Sequence, residues 1–214
     1  MIVERNIGDS GTQRIRAECS PAYARMAASV LDVFEGRAGA GPPPRPGFQI
    51  RFGWSLLRLV GDGDALRVTE PDFAAWPEER WVPTIDVTLE VLAAQTSLLH
   101  RLDVDGQDVF FDQAVISAPG ALAEPEVFLR RGDSLSAEDS GWLLATVADP
   151  EALTRGQGLE RVLIASLVER RRSLLQALTL PSGYIALFSG DSIVQVLDAA
   201  GREIGGYRSE EEMR

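Results

Sequence analysis

The chain has 214 residues, 45% hydrophobic and 25% charged, which are the proportions of a globular protein and not of a disordered chain. Thirty-two carboxylates against 21 cations leave a formal charge of −11, which argues against a phosphate-tracking surface and against nucleic acid as a partner, and suits a basic protein surface. Every cation is an arginine, so no Schiff-base or phosphate-loop lysine is available, and the single cysteine, Cys19, excludes an intrachain disulfide and a cysteine zinc site.

In chain order, Ser20-Pro21 predicts a helix start, with Ser as N-cap and Pro in the first turn. Tyr23, Met26, Ala27, Val30 and Phe34 then form one apolar stripe, with Gly36 as the expected stop. Gly36 to Gly47 has the composition of a linker, flexible in its Gly half and stiff in its Pro half. From Phe48 to Leu56 the period changes to two, which predicts a strand with one buried face, and Gly61-Asp-Gly-Asp64 predicts a hairpin turn into a strand over Ala65–Thr69. Glu70 to Pro83 is expected to be a loop anchored by Trp76 and Trp81. A helix is predicted over Thr84–Leu102, and a turn through Asp103–Gln107 into a strand over Asp108–Ser117. Further strands are expected at Glu126–Arg130 and Trp142–Val147, a long helix at Gly158–Leu180, and a hairpin of Tyr184–Phe188 and Ser192–Leu197 around Gly190-Asp191. The tail from Ser209 to Arg214 is expected to fray.

The fold class is α+β: mainly antiparallel strands with helices packed on one face, preceded by an N-terminal helical appendage. Three segments follow from this reading. Residues 1–47 hold the N-terminal helix and the Pro/Gly-rich linker, 48–120 a first α+β half, and 121–214 a second. No basic start followed by an apolar run opens the chain, and no stretch approaches about 20 uninterrupted apolar residues. A cytoplasmic protein with no membrane partner is expected.

Familiar catalytic patterns do not occur. His100, the only histidine, lies late in the second helix, and Cys19 has no motif around it. There is no G-x-S-x-G elbow, no dinucleotide fingerprint and no Walker-type loop. Asp103, Asp105 and Asp108 are spaced loosely like a calcium loop but lack its distal bidentate Glu, so a solvated turn is the reading. Arg131-Gly-Asp133 is a chance adhesion tripeptide. Arg170, Arg171 and Arg172 spread over about 200° of a helix, which predicts a solvated face paired with Glu169 or Glu160 and not one fork. Neither a cofactor nor a metal is expected.

Asp139-Ser-Gly-Trp142 is the one distinctive local signature. It follows Glu126–Arg131 and precedes the apolar run ending at Asp149-Pro150; a helix, Leu180-Pro-Ser-Gly183 and a Gly-Asp hairpin come after it. This order, over residues 124–201, resembles a bacterial immunity-protein domain, number thirty-three among the immunity proteins of polymorphic toxin systems. Residues 48–117 resemble the companion region of longer members. The resemblance implies a non-catalytic protein that binds and neutralises a cognate toxin or effector encoded by a neighbouring gene and delivered between bacteria by contact-dependent or type VI secretion. An adaptor or chaperone of a secretion system is the alternative. Asp139, Ser140 and Trp142 either hold a turn or touch the partner. Asp149 joins them as a candidate partner contact, as do Trp76 and Trp81, for which core burial is the competing role.

Overall fold

The computed structural model describes residues 1–7, 13–39, 44–75, 80–134 and 136–206, and the chain divides into two compact units, residues 1–93 and 94–214. Both are α+β, with strands that pair mainly antiparallel.

The first unit is built on a sheet of order β1-β2-β5-β4-β3, with the short β6 on β5. Its strands are β1 (Ile2–Ile7), β2 (Gln13–Glu18), β3 (Gln49–Phe52), β4 (Ser55–Asp62), β5 (Ala65–Pro71) and β6 (Trp81–Val82). β2 and β5 run parallel and the other pairs antiparallel. The N-terminal helix is present as a 3-10 turn, Pro21–Tyr23, continuing into α1 (Ala24–Gly39). Ser20 precedes it but makes no side-chain cap; its backbone N–H donates to Asp86 Oδ1 at 2.6 Å. The helix runs past Gly36, because a glycine costs about 1 kcal/mol in a helix and the packed stripe offsets it. Ala27, Val30, Leu31 and Phe34 are buried with Ile15, Ala17, Leu57, Leu59 and Val68 of the sheet. The helix is thus the lid of this core, and the strands β1 and β2 ahead of it belong to the same sheet.

The period-two run from Phe48 to Leu56 is not one strand. It folds back at Gly53, whose φ is +56°, so that Phe52 pairs with Ser55 and β3 and β4 form a hairpin. The alternation continues unbroken through the turn, which is why it read as a single element. The Gly61–Asp64 turn forms as expected and pairs β4 with β5.

The second unit holds a seven-stranded sheet of order β10-β7-β9-β8-β11-β12-β13. The strands are β7 (Ala114–Ser117), β8 (Glu126–Arg131), β9 (Asp139–Thr146), β10 (Glu160–Leu163), β11 (Ile185–Ser189), β12 (Ser192–Leu197) and β13 (Glu203–Gly205). β7 and β9 are parallel; every other pair is antiparallel. The helix α2 (Asp86–Leu102) ends on Asp103, the only described non-glycine residue with positive φ (+54°), where the Val104 N–H closes on the Leu99 carbonyl at 3.2 Å.

The expected long helix over 158–180 is three elements. After the short α3 (Ala152–Arg155), Glu160–Leu163 is β10, paired with β7; α4 spans Ile164–Arg170; a 3-10 segment spans Arg172–Ala177. The break falls at Arg171, with φ −166° and ψ 75°. Its guanidinium is drawn inward to four backbone carbonyls, and a continuous helix would carry it elsewhere. The expected strand over 108–117 is shortened to Ala114–Ser117. The expected frayed tail lies outside the described residues.

One buried charge shapes the first unit. Glu70 alternates with Leu66 and Val68 on the inward face of β5 and is fully buried. Its carboxylate accepts the N–H groups of Val87 (3.1 Å) and Thr88 (2.7 Å), the free amides at the start of α2. The Thr88 hydroxyl donates to Ser55 Oγ at 2.9 Å, and the Trp54 indole N–H donates to the Thr88 carbonyl at 3.2 Å. Desolvation outweighs the amides and pushes the Glu70 carboxyl up to about 7. The folded state therefore holds this proton more tightly than the unfolded chain. The stabilisation is fully present below the unfolded value of 4.5 and is lost as pH rises through about 7. Wild-type protein should lose up to about 3 kcal/mol between pH 5 and pH 8 through this group. Denaturant titrations at both pH values should show that loss, and Glu70→Gln should flatten it.

Candidate functional site

The Asp139-Ser-Gly-Trp142 signature begins β9, and each of its side chains is spent locally. Asp139 is half-buried and its Oδ1 accepts the Gly141 N–H at 2.9 Å, which closes a turn. Ser140 is buried and donates to the Ala114 carbonyl at 2.6 Å, fastening β9 to β7. Gly141 has φ +75°, and a Cβ there would meet the Gly132 carbonyl oxygen at 2.5 Å, so only glycine fits. Trp142 is fully buried and its indole N–H donates to the Leu178 carbonyl at 2.8 Å.

Beside Trp142 lies Arg131, at the inward end of the alternation Val127, Leu129, Arg131 in β8. Only 4% of it is exposed. Its Nη1 donates to the carbonyls of Gln107 (3.1 Å), Leu178 (3.2 Å) and Leu180 (2.7 Å), and its Nη2 donates to that of Asp108 (3.0 Å). The guanidinium carbon sits 5.6 Å from the Trp142 ring centroid. Burial pulls its pKa down to about 10, so it is charged at neutral pH. Arg171 repeats the device. It donates to the carbonyls of Ala121, Glu124, Pro125 and Gly190, and burial pulls its pKa down as well. Of the expected solvated arginine face, Arg170 and Arg172 are exposed, with Arg172 Nε donating to the Val168 carbonyl at 3.2 Å, whereas Arg171 is buried.

The remaining candidates are scattered. Trp81 is half-buried in β6 of the first unit, with the Arg58 guanidinium 5.4 Å from its ring centroid. Trp76 lies outside the described residues. Asp149 follows β9 and is held by Arg155 through paired hydrogen bonds, one of 3.0 Å; this bond and the arginine charge keep its carboxyl below the usual range. So β9 brings Asp139, Ser140 and Trp142 together as a structural turn, with Asp149 three residues beyond its end. His100 is exposed in the last turn of α2, and Cys19 is buried, with burial pushing its thiol pKa up. Among the described residues no three His, Cys, Asp or Glu side chains gather as a metal site would require.

Sequence reading passed over Glu70, Arg131 and Arg171 as functional parts of the fold. Each carried a signal: an ionisable residue in phase with the apolar positions of its own element. Glu70 follows Leu66 and Val68, Arg131 follows Val127 and Leu129, and Arg171 lies one turn beyond Leu167 and Val168.

Residues 94–199 match the family model of the Imm33-like domain. No curated protein and no solved structure matches the chain. The match starts well before the span that resembled such a domain in sequence, taking in the second half of α2 and all of β7. It encloses every group of the Arg131 clasp.

Two substitutions test the clasp. Arg131→Met strands several buried carbonyls and should cost about 3 kcal/mol or more. Gly141→Ala forces backbone against backbone at Gly132 and should cost about 2 kcal/mol or more. Both are read from urea unfolding of the purified protein.

Proposed function

We propose, from the match of residues 94–199 to the Imm33-like domain, that the protein is an immunity protein that binds a cognate bacterial toxin and neutralises it by occlusion, without catalysis. The toxin is encoded beside it, is delivered between bacteria by contact-dependent or type VI secretion, and is met in the cytoplasm of the producing cell or its kin. The family match carries this reading.

Charge supports it. Residues 94–206 hold sixteen carboxylates and nine arginines, a net −7. Two of those nine, Arg131 and Arg171, are turned inward onto carbonyls, and three more, Arg155, Arg161 and Arg202, are engaged with carboxylates. The three paired arginines each cancel one carboxylate, whereas the two inward-turned ones leave the exposed side chains of this unit with a larger negative excess than its total. Such a field raises the association rate with a basic protein and repels nucleic acid. Side chains of chemically capable types are otherwise occupied: the Cys19 thiol is buried and Glu70 is locked onto helix amides.

The direct test is co-expression. Cells producing the neighbouring toxin should survive when this chain is produced with it and die when it is not. Surface plasmon resonance should show the on-rate falling about tenfold or more from 50 mM to 500 mM salt, with the off-rate far less affected. Failure of rescue, with both proteins shown to accumulate, overturns the reading.

A further inference from the structure

The alternation that sends Val127, Leu129 and Arg131 of β8 inward sends Phe128 and Arg130 to the other face of the sheet. Cross-strand pairing extends that face in two rows. Leu197, Ile185, Arg130 and Leu143 lie side by side across β12, β11, β8 and β9. Gln195, Leu187, Phe128 and Ala145 lie in the next row. Residues directly opposite on paired strands share a face. Phe128, Leu143, Ile185, Leu187 and Leu197 are all partly exposed, whereas the inward set, Val127, Leu129, Leu144, Ala186 and Phe188, is at most 1% exposed. On the inward side, the Leu178 carbonyl of the turn after α4 accepts the Trp142 indole N–H. Ala145 is covered, so the patch spans four strands in the first row and three in the second, roughly 15 Å across at its widest.

Arg130 stands in the middle of it. It is exposed, and no hydrogen bond or ion pair engages it among the described residues. Of the polar groups around it, Arg161 is engaged with Glu138 and Gln195 with Glu203, while Glu126 stands exposed at the start of the same strand. An apolar centre with one free arginine inside a polar rim is the anatomy of a protein interface, and arginine is among the residues that dominate binding energy there.

We propose that this face of the second sheet, centred on Arg130 and Phe128, is the surface that docks the toxin, and that the toxin presents apolar side chains around a carboxylate that pairs with Arg130. The assignment rests on the immunity reading above. A second copy of the chain is the poorer occupant. A two-fold dimer sets the same patch on itself, which brings two unpaired Arg130 side chains and two net-negative units together. The long-range negative field and the local arginine have separate duties: the field governs encounter, and the arginine fixes the seat.

The test uses the full chain and a catalytically inactivated form of the neighbouring toxin in titration calorimetry. Arg130→Glu and Leu187→Gln should each weaken binding about tenfold or more. Arg170→Glu makes the same charge change at an exposed site on α4 and should stay within about twofold. Thermal midpoints matching wild type show that the variants fold. If wild type binds and all three variants bind alike, or if Arg130→Glu and Arg170→Glu weaken binding equally, the face is overturned while the immunity reading stands. If wild type does not bind, both fall. If the face variants instead abolish self-association of the free protein in sedimentation, a second copy covers the patch and the proposal is overturned.

Discussion

The guanidinium of Arg131 is the constraint around which the second unit is arranged. It joins β8 to the segment before β7 through Gln107 and Asp108, and to the turn after α4 through Leu178 and Leu180, while lying against Trp142 of β9. A buried charge is costly unless its hydrogen bonds are met. Here they are met by carbonyl oxygens, and the position of every carbonyl is thereby fixed. The D-S-G-W turn is subordinate to this: Gly141 allows the close approach to Gly132 that sets Trp142 beside Arg131. The first unit uses the inverse arrangement, with the Glu70 carboxylate on the free amides of α2. In both units a charge is answered by backbone dipoles and not by an opposite charge.

This division of labour bears on function. Glu70, Arg131, Ser140 and Asp139, side chains of types that can do chemistry, are committed to holding backbone. What remains for recognition is surface: a negative exterior and a half-exposed apolar sheet face. On the function proposed above, such a protein would act by covering its partner, with specificity in the side chains that alternate outward from the strands whose inward side chains make the core. Arg130 and Arg131 are adjacent in the chain and divide these duties between them.

Much of the fold was legible because alternation and stripe spacing are local. The stripe of α1, the Gly61–Asp64 turn, α2, β8 and the last hairpin stand where the sequence places them, and β9 starts three residues earlier than the expected Trp142. The failures share a cause. Gly53 reverses the chain without disturbing the period of two, so β3 and β4 read as one strand. Glu160–Leu163 carries no helix-breaking residue, and only its pairing with β7 makes it a strand. Arg171 ends a helix because carbonyls distant in sequence attract it, and no local rule expresses that. β1 and β2 were passed over because Arg, Glu and Asn dominate their outer positions; their inward residues Ile7, Ile15 and Ala17 are too few to announce a strand. The candidate contacts on β9 were visible as a motif, but a motif does not reveal whether its side chains point into the protein or out of it.

Arginine held by peptide oxygens has no acid-labile counterpart. A carboxylate in the same place would take up a proton in mild acid and release its grip, but an amide carbonyl has no proton to gain there, and a guanidinium near 10 keeps its own. The fastening of the second unit is therefore indifferent to acidification, while the first unit, through Glu70, gains from it. Two halves of one chain answer the same change of medium in different ways, and neither answer loosens the protein on moving from neutral to mildly acidic surroundings.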